Sequence, residues 1–289
     1  MQKIILITGA TDGIGLETAK ALTQQGHHVL IHGRNPAKVN KVVTALSRLS
    51  KNAIIESYIA DLSRLSEVEA LATQIKSDHK RLDILINNAG VYKVSDITTP
   101  DNLDVRFVVN TIAPYLLTQK LLPLFNATGR IVNLSSAAQA PVDLEALISP
   151  NAGELDGPVY AQSKLALTMW SIELANSLSA SQTSSQANNQ TSSGSKNGPA
   201  VIPVNPASFL GSKLVKDAYG VDGNDLAIGA DILCRAALSD EFANASGQYF
   251  DNDSGLFKDP HADALDNTKN HKLVTVLDQL LEEKLCVAH

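Results

Sequence analysis

The sequence predicts an α/β chain organised on a doubly wound parallel sheet. Short β-rich runs alternate with longer helical patterns along nearly the whole chain. Several runs are apolar at almost every position, as strands are when helices cover both faces. The first run leads through a glycine-rich turn, TGATDGIG at 8–15, directly into the first helical pattern, which makes the sheet Rossmann-type. At 289 residues the chain is long enough for a substantial core, and residues 1–289 read as one domain.

In order, KIILIT (3–8), HVLIH (28–32), IIESYI (54–59), LDILIN (82–87), GRIVNLS (129–135) and AVIPV (200–204) read as strands. Helical patterns lie between them at 14–25, 36–49, 64–79, 101–124 and 158–178. A last helix pair, 224–238 and about 268–285, brackets GQYF (247–250), which reads as a short edge strand. Residues 179–199, SASQTSSQANNQTSSGSKNGP, contain no large apolar side chain and one charge. Such a stretch buries too little surface to offset its ordering entropy, so it reads as a flexible insertion.

A net charge of −6, with Lys and Arg scattered, argues against nucleic acid or an anionic membrane as partner. No run approaches the length of a membrane span, and the N-terminus enters a strand at once. Cys234 and Cys286 have neither metal nor redox spacing. They read as small buried hydrophobes of a reducing, cytoplasmic compartment. No histidine has metal-ligand spacing.

The turn at 8–15 suits a dinucleotide pyrophosphate, which needs close backbone approach and free N–H groups at a helix N-terminus. Gly9, Thr11, Asp12, Gly13, Ile14 and Gly15 are its candidate contacts. The end of the second strand is HGRN: Gly33 stands where an acid would bind a ribose 2′-hydroxyl, and Arg34 follows. A guanidinium suits a 2′-phosphate, so NADP(H) is favoured over NAD(H). Farther on, Tyr160 and Lys164 stand four residues apart and share a helix face. A nearby ammonium stabilises a phenolate and brings tyrosine, normally titrating near about 10, toward neutral pH.

These motifs, in this order, resemble the short-chain dehydrogenase/reductase family. They are TGATDGIG, Asp61-Leu62, Asn87-Asn88-Ala89-Gly90, Asn110, the serine pair ending at Ser136, and Tyr160-x-x-x-Lys164. HGRN and VNPAS look most like its retinol-dehydrogenase-like branch. The resemblance implies hydride transfer between a nicotinamide and an alcohol, ketone or aldehyde. Tyr160 would be general acid in reduction and base in oxidation. Lys164 would also hold the nicotinamide ribose, Ser136 the substrate oxygen, and Asn110 a water linking Lys164 to solvent. Asp61 and the Leu62 backbone would edge the adenine pocket. Asn87, Ala89, Gly90, Pro206 and Tyr160 itself would complete the cofactor contacts. The chain departs from the family's Pro-Gly…Thr pattern after strand six, with Ala207 and Gly211 in its place.

Residues 139–158 and 208–223 are expected to cover the substrate. The first holds Val142, Leu144, Leu147 and Ile148, which read equally as substrate contacts or as local core, and its four acids with no basic residue favour an uncharged substrate. The tail at 266–289 has apolar helical spacing that could serve either an interface or the monomer's own core, which leaves homo-oligomerisation open. Two rivals carry less of the sequence. A non-catalytic NADP(H) sensor has no need of the proton donor. A sugar-nucleotide epimerase would have G-x-x-G-x-x-G and a larger C-terminal domain than 207–289.

Overall fold

The structure is a computed structural model that describes residues 1–150, 155–186, 198–212, 215–216 and 220–286. Its strands are β1 (Ile4–Ile7), β2 (His28–Gly33), β3 (Ile54–Ile59), β4 (Ile84–Asn87), β5 (Arg130–Leu134), β6 (Ala200–Asn205), β7 (Tyr249–Asp251) and β8 (Leu256–Lys258). They form one sheet in the order β3-β2-β1-β4-β5-β6-β7-β8, parallel except for the antiparallel β7–β8 pair. The chain winds outward from β1 to β3, then returns to place β4 on the other side of β1. That reversal opens a crevice beyond the carboxyl ends of β1 and β4, where such sheets bind ligands.

The helices are α1 (Gly13–Gln24), α2 (Pro36–Leu46), α3 (Leu65–Asp78), α4 (Val105–Phe107), α5 (Ala113–Leu121), α6 (Leu144–Ile148), α7 (Asp156–Gln186), α8 (Leu226–Leu238) and α9 (Asn267–Cys286). Strand side chains alternate between two layers. Leu6, Leu30, Leu85, Ile131 and Val201 face α3, α5, α7 and α9. Ile5, Val29, Ile84, Val132 and Ile202 face α1, α2 and α8. This two-sided burial explains why the strands read as continuous apolar runs. Among the described residues, no helix is long and apolar enough to cross a membrane.

The structure corrects several expectations. GQYF does not end the sheet: β7 pairs with β8, three exposed residues that no periodicity announces, across the turn DNDSG. The pattern at 101–124 is not one helix. It starts at Val105 under an Asp104 cap and passes through a π-helical turn at Val108–Ile112 before α5. Pro114 accounts for the break, because it offers no N–H to the carbonyl of Asn110 four residues earlier. Helix α7 continues to Gln186, so the expected insertion is helical at 179–186. Ser177 and Ser179 bond back to the carbonyls of Glu173 and Ala175 and leave the helical register intact. Residues 187–197 of that insertion lie outside the described residues. Cys234 is half-buried rather than buried, and burial pushes its thiol up to about 12.

Candidate active site

The glycine turn is built by close backbone contact. Gly9 and Gly13 adopt φ of +65° and +55°, in the left-handed region. A side chain on Gly9 would come within 2.9 Å of the Ala89 Cα, so the turn after β1 lies directly on the turn after β4. Asn88 locks the two together: its Nδ2 donates to the carbonyls of Thr8 (2.8 Å) and Gly9 (3.1 Å). Thr8 Oγ1 accepts the Asn88 and Ala89 amides. Asp12 caps α1 and accepts the Gly13 N–H at 2.8 Å. Below the turn, His32 is 3% exposed; its Nδ1 accepts the Gly9 N–H, and its Nε2 faces the Ala60 carbonyl at 3.1 Å. Donation to Ala60 and acceptance from Gly9 require the neutral ring, and burial holds the imidazole down at about 4.

At the end of β2, a side chain on Gly33 would run into Thr11 Cγ2 at 2.6 Å and Val39 Cγ2 at 3.0 Å. An acid at this position would therefore have to displace the Thr11 side chain. Arg34 stands exposed beside it and forms no ion pair among the described residues. After β3, Asp61 accepts both the amide and the hydroxyl of Ser63, while the Leu62 side chain enters the core and leaves only its backbone to a ligand. The Asn87 side chain likewise faces inward, donating to Thr118 Oγ1 and Asn133 Oδ1.

The second half of the site gathers on α7. Lys164 is 4% exposed, and its Nζ donates to the Leu134 carbonyl at 2.7 Å, directly before the serine pair. Burial pushes its ammonium down to about 8. Nζ lies 5.6 Å from the centre of the half-buried Tyr160 ring, and Tyr92 packs on that ring with centroids 5.1 Å apart. Gly90 leaves the space that a side chain would close: its Cβ would lie 3.3 Å from Asn110 Oδ1 and 3.6 Å from Lys164 Nζ. Ser135 and Ser136 separate clearly. Ser135 is buried and bonded to Thr168 at 2.6 Å, whereas Ser136 is half-exposed, with its Oγ accepting the Ala138 amide.

Asn110 sits in the π turn. Its Oδ1 accepts the Val91 amide at 2.8 Å, and its Nδ2 donates to the Val91 carbonyl and to Ser163 Oγ, both at 2.9 Å. Ser163 in turn donates to the Tyr160 carbonyl. The side chain of Asn110 thus ties the loop after β4 to the helix carrying Tyr160. Of the apolar residues expected over the substrate, Leu147 is core, Val142 and Leu144 pack on the core, and Ile148 is exposed. Pro206 ends β6 as expected, and Ala207 follows at φ +115°, a conformation that favours the glycine it replaces.

Residues 3–187 match the family model for short chain dehydrogenases. The chain belongs to the short-chain dehydrogenases. It is 31% identical to the human polyprenol dehydrogenase over 98% of this chain and 84% of that protein. It is 29% identical to human retinol dehydrogenase 13 over 86% and 76% of the two chains. These relatives place it in the retinol-dehydrogenase-like branch. Among solved structures, a putative uncharacterized protein from Mycobacterium paratuberculosis superposes over 97% of this chain and 94% of that one, with a TM-score of 0.76 at 24% identity. As a short-chain dehydrogenase it is an oxidoreductase acting on CH–OH groups with a nicotinamide dinucleotide, NAD(P).

Sequence reasoning passed over several residues of this dehydrogenase's site. His32 has no metal spacing, and only its inward place on β2 could have drawn attention. Asn88 lies within the Asn87-Asn88-Ala89-Gly90 motif, and its side chain holds the glycine turn while that of Asn87 faces inward. Arg106, two residues after Asp104 in an otherwise apolar stretch, is 1% exposed and bridges Asp104 (2.6 Å) and Asp156 (2.9 Å) at the start of α7. A charged pair inside DVRFVV was its signal.

Proposed function

We propose that this short-chain dehydrogenase uses NADP(H) to interconvert an uncharged alcohol and its ketone or aldehyde, with Tyr160 as general acid and base. One observation carries the reading: the buried Lys164 ammonium is anchored on Leu134 beside the Tyr160 ring, across the open face of Gly90. The site fits a dinucleotide. The bare backbone at Gly9 and Gly13 and the start of α1 form a phosphate cradle, and Gly90 leaves room beside Lys164 and Asn110. Gly9, Thr11, Asp12, Gly13, Ile14 and Gly15 would hold the pyrophosphate. Asp61 and the Leu62 backbone would edge the adenine, Ala89 and Gly90 the riboses, and Pro206 the nicotinamide side. The crowded space at Gly33 and the exposed Arg34 favour a 2′-phosphate over a bare hydroxyl.

When bound, the dinucleotide supplies or accepts the hydride. Tyr160 Oη supplies the proton to the substrate oxygen during reduction and removes it during oxidation. Lys164 stabilises the phenolate that reduction leaves behind. Ser136 Oγ, with Ser135 turned away, holds the substrate oxygen. The Asn110 carbonyl, which lacks its α-helical partner because of Pro114, accepts from a water that returns the proton to Lys164. The named substrates of the relatives, polyprenol and retinol, support a non-polar alcohol, in line with the acid-bearing segment at 139–158. Titration with NADPH and NADH, followed by turnover on apolar aldehydes, tests the reading. NADPH binding at least about tenfold tighter than NADH is expected, and Arg34→Ser should erase the difference. Equal affinity in the native protein would remove the role given to Arg34.

A further inference from the structure

The segment leaving β6 crosses the mouth of the cleft. Pro206 starts it, directly after β6. Leu210 packs against Gly229 of α8, and Ser212 reaches the glycine turn, 3.6 Å from where a Cβ on Gly13 would lie. Its course runs from the end of β6 to the glycine turn. Two of its residues are held against their preference: Ala207 at φ +115° and Phe209 at φ +53°. Such conformations persist only where the surroundings over-determine them.

The β7–β8 turn constrains the Ala207 end, while Asn224 holds the Phe209 end, its amide donating to the Phe209 carbonyl at 2.6 Å and its Nδ2 to the Ser208 carbonyl at 3.2 Å. Asp253 grips Ser208 twice, with Oδ1 accepting the amide at 2.7 Å and Oδ2 accepting the hydroxyl at 2.6 Å. The same Oδ2 accepts from Asn205 Nδ2 at 2.9 Å. Beside it, Asn252 donates its amide to the Asn205 carbonyl and its Nδ2 to the Pro206 carbonyl. At the head of this hairpin, the Tyr249 hydroxyl donates to the Ser136 carbonyl at 3.0 Å. One hairpin thus touches both the serine presented to the substrate and the base of the crossing segment.

We propose that Asp253 is a positioning residue: through Ser208 it holds Ala207 in its left-handed conformation and fixes residues 206–212 over the dinucleotide cleft. The proposal rests on the NADP(H) oxidoreductase reading. A carboxylate suits the task because both of its oxygens accept, whereas an amide would turn one acceptor into a donor facing Ser208. A glycine at 207 would populate φ > 0 unaided and would need the grip less.

The test compares Asp253→Asn, Ala207→Gly and the double variant with the native protein. Hydrogen exchange at the Ser208 amide and NADPH affinity are read together. Asp253→Asn should speed Ser208 exchange about tenfold and weaken NADPH binding about three- to tenfold. In the Ala207→Gly background the loss of affinity should shrink below about twofold. Ser208→Ala, which removes one of the two bonds, should shift affinity less and in the same direction. Unchanged exchange at Ser208 would overturn the grip itself. Faster exchange with unchanged NADPH affinity, or equal losses in both backgrounds, would overturn the positioning role while the oxidoreductase reading stands. Failure of the native protein to bind NADPH or NADH would overturn that reading and the placement over the cleft with it.

Discussion

Lys164 and His32 show how burial tunes single groups in opposite halves of the cleft. Burial brings the Lys164 ammonium down to about 8, so it is charged at neutral pH and loses its proton as the pH rises past that value. NADPH affinity of the free protein should therefore fall on going from pH 7 to pH 9, and Lys164→Met should flatten the profile while weakening binding throughout. The His32 contribution has the reverse direction. Unfolded histidine takes its proton near about 6.5, whereas folded His32 does so only near about 4. Its contribution to stability is complete above pH 6.5 and is lost as the pH falls through about 4, amounting to about 3 kcal/mol at most. Urea unfolding at pH 4.5 and 7 should show this loss in the native protein and a smaller one in His32→Gln.

At the scale of elements, the start of α7 is held by charge rather than by packing alone. Arg106 and Asp104 are almost fully buried, and Asp156 completes the set four residues before Tyr160. Removing the guanidinium would leave Asp104 buried without its partner. Arg106→Met should therefore cost about 3–5 kcal/mol in denaturant unfolding, and a loss under about 1 kcal/mol would show that the pair is replaceable. Elements with strong local signals were legible in the sequence: α1 behind its glycine turn, the buried parallel strands, and the helix bearing Tyr160. Those governed by distant contacts were not. The π turn follows from Pro114 and from Thr111 and Asn110 reaching Ser163, and β8 forms only because β7 offers an open edge. The extent of α7 was underestimated because serine and glutamine tracts carry no amphipathic signal, although serines can bond back within a helix.

Across the whole molecule, the sheet order places the glycine turn, the Asn88 lock and the Lys164–Tyr160 pair along a single crevice, although they come from chain segments far apart in sequence. The candidate site reads as a set of motifs in the sequence because each has fixed local spacing. The joints between motifs do not, since Asn110 to Ser163 and Tyr249 to Ser136 are long-range contacts. A dinucleotide bridging both halves should stabilise the fold by about 2.7 kcal/mol at a hundredfold excess over its Kd, visible as a raised melting temperature.

The most direct test is NADPH titration of the native protein and of Tyr160→Phe, followed by reduction of apolar aldehydes at neutral pH. The account predicts similar NADPH affinity in both and turnover about 10²–10⁴-fold lower in the variant, because only the transferable proton is removed. Turnover by Tyr160→Phe at the native rate would contradict it.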